Sequence, residues 1–216
     1  MCCPLWENLP DDERIHLALR ASDWNGSAAP SAARYGRRRK RSTATASVSL
    51  HSALPSPRGQ VLENGMPGFF RRVAEGMFDE DDVRRRAFEL ADFVVDAQIR
   101  YGIRRPFALG YSNGANFAAG LMLLRPGTLA GAALLRAMVP LSDPSRPDLS
   151  GVSVLIASGK FDTIVPASNY AKQAAMPSEA GAEVSHRALP VGHQLSGFDP
   201  PLVRDWLSTL NLKSRA

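Results

Sequence analysis

The sequence predicts an α/β fold with a mostly parallel sheet and helices on both faces. Three observations carry that prediction. Residues 56–210 alternate helical and strand-like patterning, as repeated strand–helix units do. The segments Gly131–Val139 and Val152–Ala157 are apolar runs of strand length, as parallel strands covered on both faces require. Residues 107–116 read Phe-Ala-Leu-Gly-Tyr-Ser-Asn-Gly-Ala-Asn, an apolar run that breaks at a glycine-flanked serine and resumes with small residues suited to a helix start. A chain of 216 residues, 44% of them hydrophobic, can bury one sizeable core.

Asp79 to Arg100 is the best helix. Asp79 can cap it, and Glu80, Asp81 and Asp82 favour its positive N-terminal end. Val83, Ala87, Leu90, Val94 and Ala97 fall on one face, while Arg84, Arg85 and Arg86 read as a solvated one. Arg105–Leu109 is a short buried strand, and Ala115–Leu124 a helix stopped by Pro126 and Gly127. After the runs at 131–139 and 152–157 come a short helix over Ala167–Ala175 and a half-buried strand over Glu183–Leu189. Pro201–Leu210 closes the pattern as an amphipathic helix.

The chemistry concentrates at strand ends. The G-x-S-x-G pattern of residues 110–114 lifts Ser112 out of a sharp strand-to-helix turn, where its hydroxyl can attack a carbonyl. Asp162 follows the run ending at Ala157, and His193 follows the run ending at Val191. Both stand just past C-terminal strand ends, where parallel sheets place their sites. The Asn113 backbone N–H, at a helix N-terminus, is a candidate oxyanion donor. Asp199 follows His193 and so stands on the wrong side of it for the order serine, acid, histidine. His186 lies within a strand and reads as structural.

From about Ser56 to Leu210 the chain resembles the phospholipase/carboxylesterase branch of the α/β hydrolases. The resemblance rests on Ser56-Pro-Arg-Gly59, Glu63-Asn-Gly-Met66, Phe69-Phe-Arg-Arg72, Gly110-Tyr-Ser-Asn-Gly114, Gly159-Lys-Phe-Asp162 and Gly192-His-Gln-Leu195. It implies an α/β-hydrolase fold over 53–216 and a triad of Ser112, Asp162 and His193. It also implies that Met66, Phe69 and Phe70 wall a substrate pocket, with anchoring of the loop to the core as the other reading of the two Phe. The expected reaction is hydrolysis of a small or medium carboxylic ester through an acyl-enzyme. Water completes that reaction, so no cofactor is expected.

Residues 1–52 depart from the family and are expected to be irregular, with Ile15-His16-Leu17 as a candidate first strand within them. The family has there a strand followed by an HGxGG-type loop that supplies an oxyanion N–H; this chain has Ser-, Ala- and Arg-rich text. Residues 22–50 can be read as translated out of frame. Codons that encode Ala33–Thr45 can, in another frame, spell LHGTGGDENDLLP, the missing strand end and loop. The other reading is a genuine basic insert. Either way one oxyanion donor is lacking, and activity is expected to be impaired.

Charge and composition exclude several classes. The net charge of +5 is concentrated in Arg34, Arg37, Arg38, Arg39, Lys40 and Arg41; without them the remainder carries −1, so the domain itself has no basic surplus for nucleic acid. No apolar stretch reaches the roughly 20 residues of a bilayer span. No basic-then-apolar N-terminus marks secretion, which leaves a cytoplasmic location as the expectation. The only cysteines, Cys2 and Cys3, form neither a disulfide framework nor a metal motif. Monomer and homodimer are both left open. Two other functions are weighed: a dienelactone-hydrolase-like enzyme, disfavoured by serine rather than cysteine at 112, and an inactive binding protein with a basic tail.

Overall fold

The computed structural model describes residues 15–18, 59, 61–63, 66–74, 76–102, 104–143 and 147–213. The segment 22–50, with the frame reading attached to it, lies outside them. Among the described residues the main sheet has five strands, in the order β1 (Ile15–Ala18), β6 (Phe107–Tyr111), β7 (Gly131–Leu135), β8 (Ser153–Gly159) and β9 (Glu183–Leu189). From β6 to β9 every pairing is parallel, whereas β1 runs antiparallel along the free edge of β6. Between β1 and β6 lie two short antiparallel ladders, β2 (Val61–Glu63) with β3 (Met66–Gly68) and β4 (Arg72–Ala74) with β5 (Met77–Phe78). Strands of two or three residues leave no readable period, so this stretch reads as loop in the sequence.

Among the described residues, four helices cover the sheet: α1 (Glu80–Tyr101), α2 (Asn113–Leu124), α3 (Ala167–Glu179) and α4 (Asp199–Lys213). Alternate strand residues divide between the two faces, as a period of two dictates. Ala108, Ala132, Leu134, Val154 and Ile156 join α1 and α2 residues such as Leu90, Phe117 and Leu121 in the larger core. Ala133, Leu135, Leu155 and Ala157 face Val203, Trp206 and Leu210 of α4 in the smaller one.

Asp79 caps α1 as expected, its carboxylate accepting the Asp82 N–H at 3.0 Å. Val83, Ala87, Leu90 and Val94 are buried on the expected face. Asp82 does more than favour the helix dipole. Buried, it accepts the Arg71 N–H at 2.9 Å and pairs with the guanidinium of Arg85, so Arg85 is not simply solvated.

Two boundaries move for clear reasons. β6 begins after Pro106, which has no N–H for a ladder, instead of at Arg105. β7 ends at Leu135 instead of continuing to Val139, because Arg136 adopts φ 54° and turns the chain out of the strand.

Candidate active site

β6 carries the chain to Ser112 at the sheet's C-terminal edge. Ser112 adopts φ 48° and ψ −117°, a strained geometry for a residue with a side chain. The turn is tight underneath: a Cβ on Gly110 would lie 2.6 Å from Ala115 N and from Gly114 O. The Ser112 N–H donates to Leu135 O on the neighbouring strand at 2.9 Å, which ties the elbow to the sheet.

Ser112 Oγ lies 3.0 Å from His193 Nε2, and His193 Nδ1 lies 2.9 Å from Asp162 Oδ2. The carboxylate accepts only, so Nδ1 carries the imidazole proton and Nε2 is left to accept from the serine hydroxyl. Three side chains from three strand ends thus form one hydrogen-bonded line.

Asp162 is densely held. Its Oδ1 accepts the N–H groups of Ile164 at 2.8 Å and Val165 at 3.0 Å, and its Oδ2 accepts the Tyr170 hydroxyl at 2.5 Å besides His193. Burial by itself pushes this carboxyl up; the hydrogen bonds from Tyr170, Val165, His193 and Ile164 outweigh it and hold the pKa below the ordinary value. The Tyr170 hydroxyl shifts the other way, raised by burial and by its bond and proximity to Asp162. Nothing in the sequence marks Tyr170, which is simply one position on the buried side of α3.

Asn113 opens α2, where the first backbone N–H groups have no partner within the helix. Its side-chain Oδ1 accepts the Phe69 N–H at 3.0 Å, fastening the 66–70 stretch to the elbow. Met66 begins β3 of that stretch. Phe69 and Phe70 lie in the larger core. Both rings are shut in the core, with Phe69 stacked on Phe117 at 4.9 Å and Phe70 edge-on to Phe78 at 5.1 Å. A pair of adjacent apolar rings gains more from core burial than from lining a wet mouth.

His186 sits in β9 and bonds Ser158 Oγ at 2.8 Å, and burial pushes its pKa down. Asp199, on the wrong side of His193 in the chain, is fully buried and pairs with Arg136, 2.8 Å from Nη1 to Oδ1. Arg136 was open to discovery in the sequence: an arginine within the apolar run 131–139 must find partners if that run is buried. Among the described residues, no group of three or more His, Cys, Asp or Glu is placed to hold a metal, and no helix is long and apolar enough to cross a membrane.

No family model matches the chain. Individual relatives do. "Putative hydrolase MhqD" of Bacillus subtilis strain 168 is 40% identical over 151 residues, which is 69% of this chain and 76% of that protein. The crystal structure of the Bacillus cereus carboxylesterase superposes with a TM-score of 0.70 at 41% identity, covering 73% of this chain and 75% of that one. This chain belongs to the phospholipase/carboxylesterase family of α/β hydrolases. A carboxylesterase from Mesorhizobium loti extends the match, with a TM-score of 0.68 at 33% identity over 72% of this chain and 76% of its own. The protein is therefore a carboxylesterase-type hydrolase acting on a small-molecule substrate.

Proposed function

We propose that this carboxylesterase cleaves small to medium carboxylic esters through Ser112, His193 and Asp162. The observation that carries the reading is the unbroken line from Ser112 Oγ to His193 at 3.0 Å and on to Asp162 at 2.9 Å, headed by a strained serine at the end of a strand. Ser112 Oγ attacks the ester carbonyl carbon while His193 Nε2 takes the hydroxyl proton. Negative charge gathers on the carbonyl oxygen, and the Asn113 N–H at the start of α2 donates to it. Collapse of the tetrahedral intermediate expels the alcohol, which receives its proton from His193. Water, activated by the same imidazole, then releases the acid and restores Ser112. Asp162 keeps the imidazole tautomer and steadies its charge during both proton transfers.

Turnover in this chain is expected to be low. The second oxyanion donor would come from an HGxGG-type loop, which the text of residues 1–52 lacks, and loss of one such donor costs about 10²–10³-fold. The test is a fluorophosphonate probe with mass-spectrometric mapping, alongside hydrolysis of p-nitrophenyl acetate and butyrate. Labelling at Ser112, abolished in Ser112→Ala, is the expected result. Ester turnover that survives in Ser112→Ala would sink the assignment.

A further inference from the structure

We propose that Arg136, backed by Asp199, is a positioning residue that sets the His193 imidazole in line with Ser112. Four observations converge on it. Arg136 is wholly buried, among the largest side chains so enclosed. It shares with Ser112 the distinction, among the described residues, of a positive φ without being glycine, so the chain accepts strain to aim this side chain inward.

All five of its N–H donors are then used. Nη1 donates to Asp199 Oδ1 at 2.8 Å and Ala157 O at 3.3 Å, and Nη2 donates to Asp199 Oδ2 at 3.0 Å and Gln194 O at 3.3 Å. Nε donates to Gly192 O at 3.2 Å. The carbonyls it holds at 192 and 194 flank His193. The carbonyl of His193 itself accepts the Tyr111 hydroxyl at 3.2 Å. The three consecutive carbonyls of residues 192 to 194 are thereby fixed, two of them by one rigid fork.

Asp199 orients the fork. Its Oδ2 also accepts the Ser196 N–H at 2.7 Å and hydroxyl at 2.9 Å, so the far end of the histidine loop is anchored on the same carboxylate. A planar guanidinium reaches several acceptors in fixed directions, whereas a lysine ammonium is a point charge on a flexible stem. The ion pair alone could be served by lysine; the bracket around His193 could not.

The proposal rests on the reading of Ser112, His193 and Asp162 as the triad, and its test separates the two. Arg136→Met and Arg136→Lys are compared for melting temperature, kcat, KM and Ser112 labelling rate. The methionine variant is expected to lose both stability and turnover. The lysine variant is expected to recover melting temperature toward the parent while kcat stays down by about tenfold or more with KM within about twofold. Recovery of kcat in step with melting temperature would reduce Arg136 to a structural ion pair and overturn the proposal.

Asp199→Asn keeps the volume and the Ser196 contacts; it is expected to lower kcat several-fold at unchanged KM, and parental kcat would count against the inference. Amide hydrogen exchange reads the bracket without catalysis. In the folded variants, exchange is expected to rise selectively over residues 190–196, and parental exchange there overturns the proposal even if Ser112 proves unreactive. Failure of the parent chain to label at Ser112, with faster exchange in the variants, would instead sink only the triad reading.

Discussion

In the proposed mechanism, the side that would handle protons and the side that would receive the carbonyl oxygen meet at Ser112, and their described supports differ. On the first side the Asp162 carboxylate accepts four hydrogen bonds, and three successive carbonyls around His193 each have a donor. These partners come from the parallel strands β6 to β9 and the segments that follow them. On the second side stand the Asn113 N–H and the 66–70 stretch, whose described link to the elbow is the bond from Phe69 N–H to Asn113 Oδ1. The two short ladders there are separate from the main sheet. Under the proposed mechanism, the described contacts that set the acid–base geometry all come from one sheet edge, while the proposed oxyanion side is described by Asn113 and its bond to Phe69.

That contrast can be broken first at Asp162. Asp162→Asn should lower kcat by about 10⁴-fold, since an amide oxygen and NH₂ cannot enforce the same imidazole tautomer; steady-state kinetics with KM little changed is the expected outcome. The opposite side is probed by gain. Replacing residues 33–45 with LHGTGGDENDLLP, the text compatible with the other reading frame, should raise kcat by about 10²–10³-fold if the flank lacks only its second donor. No gain would mean that the proton-handling edge is not ready by itself.

A smaller change is expected from Tyr170→Phe, a few-fold in kcat, with a stability signature. Asp162 has its folded pKa below its unfolded value, so it contributes stability that is present above the ordinary carboxylate range and lost as pH falls through the folded pKa. Removing the Tyr170 bond shrinks that contribution. The melting-temperature gap between parent and variant should be widest at neutral pH and narrow as pH falls through and below the ordinary carboxylate range. Smallest is His186→Gln. Burial depresses the His186 pKa, so the folded state binds fewer protons there and stability falls as pH drops below about 6.5. The glutamine variant should lose less melting temperature than the parent between about pH 7 and pH 5.

The contacts that hold the centre differ in how far the sequence exposes them. Ser112, Asp162 and His193 announce themselves because each needs a special local text: a glycine-flanked turn or a polar residue just past an apolar run. Strands β7, β8 and β9 were legible for the same reason, as runs whose period or length permits little else. Tyr170 and Asp199 carry no such mark, since their roles depend on which side of a helix, or which end of it, meets a distant loop. Arg136 is the intermediate case. Its charge within an apolar run signals a buried partner, yet nothing local names Asp199, 63 positions away. Phe69 and Phe70 illustrate the converse, two apolar rings whose text fits a pocket wall and a core anchor equally well.

Asp199 is also the first residue of α4, whose Val203, Trp206 and Leu210 cover the second face of the sheet. A ribosome thus delivers the serine long before it delivers the carboxylate on which the histidine loop closes. Nascent chains arrested before α4 leaves the exit tunnel should therefore carry Ser112 beside a histidine loop that Asp199 has not yet anchored.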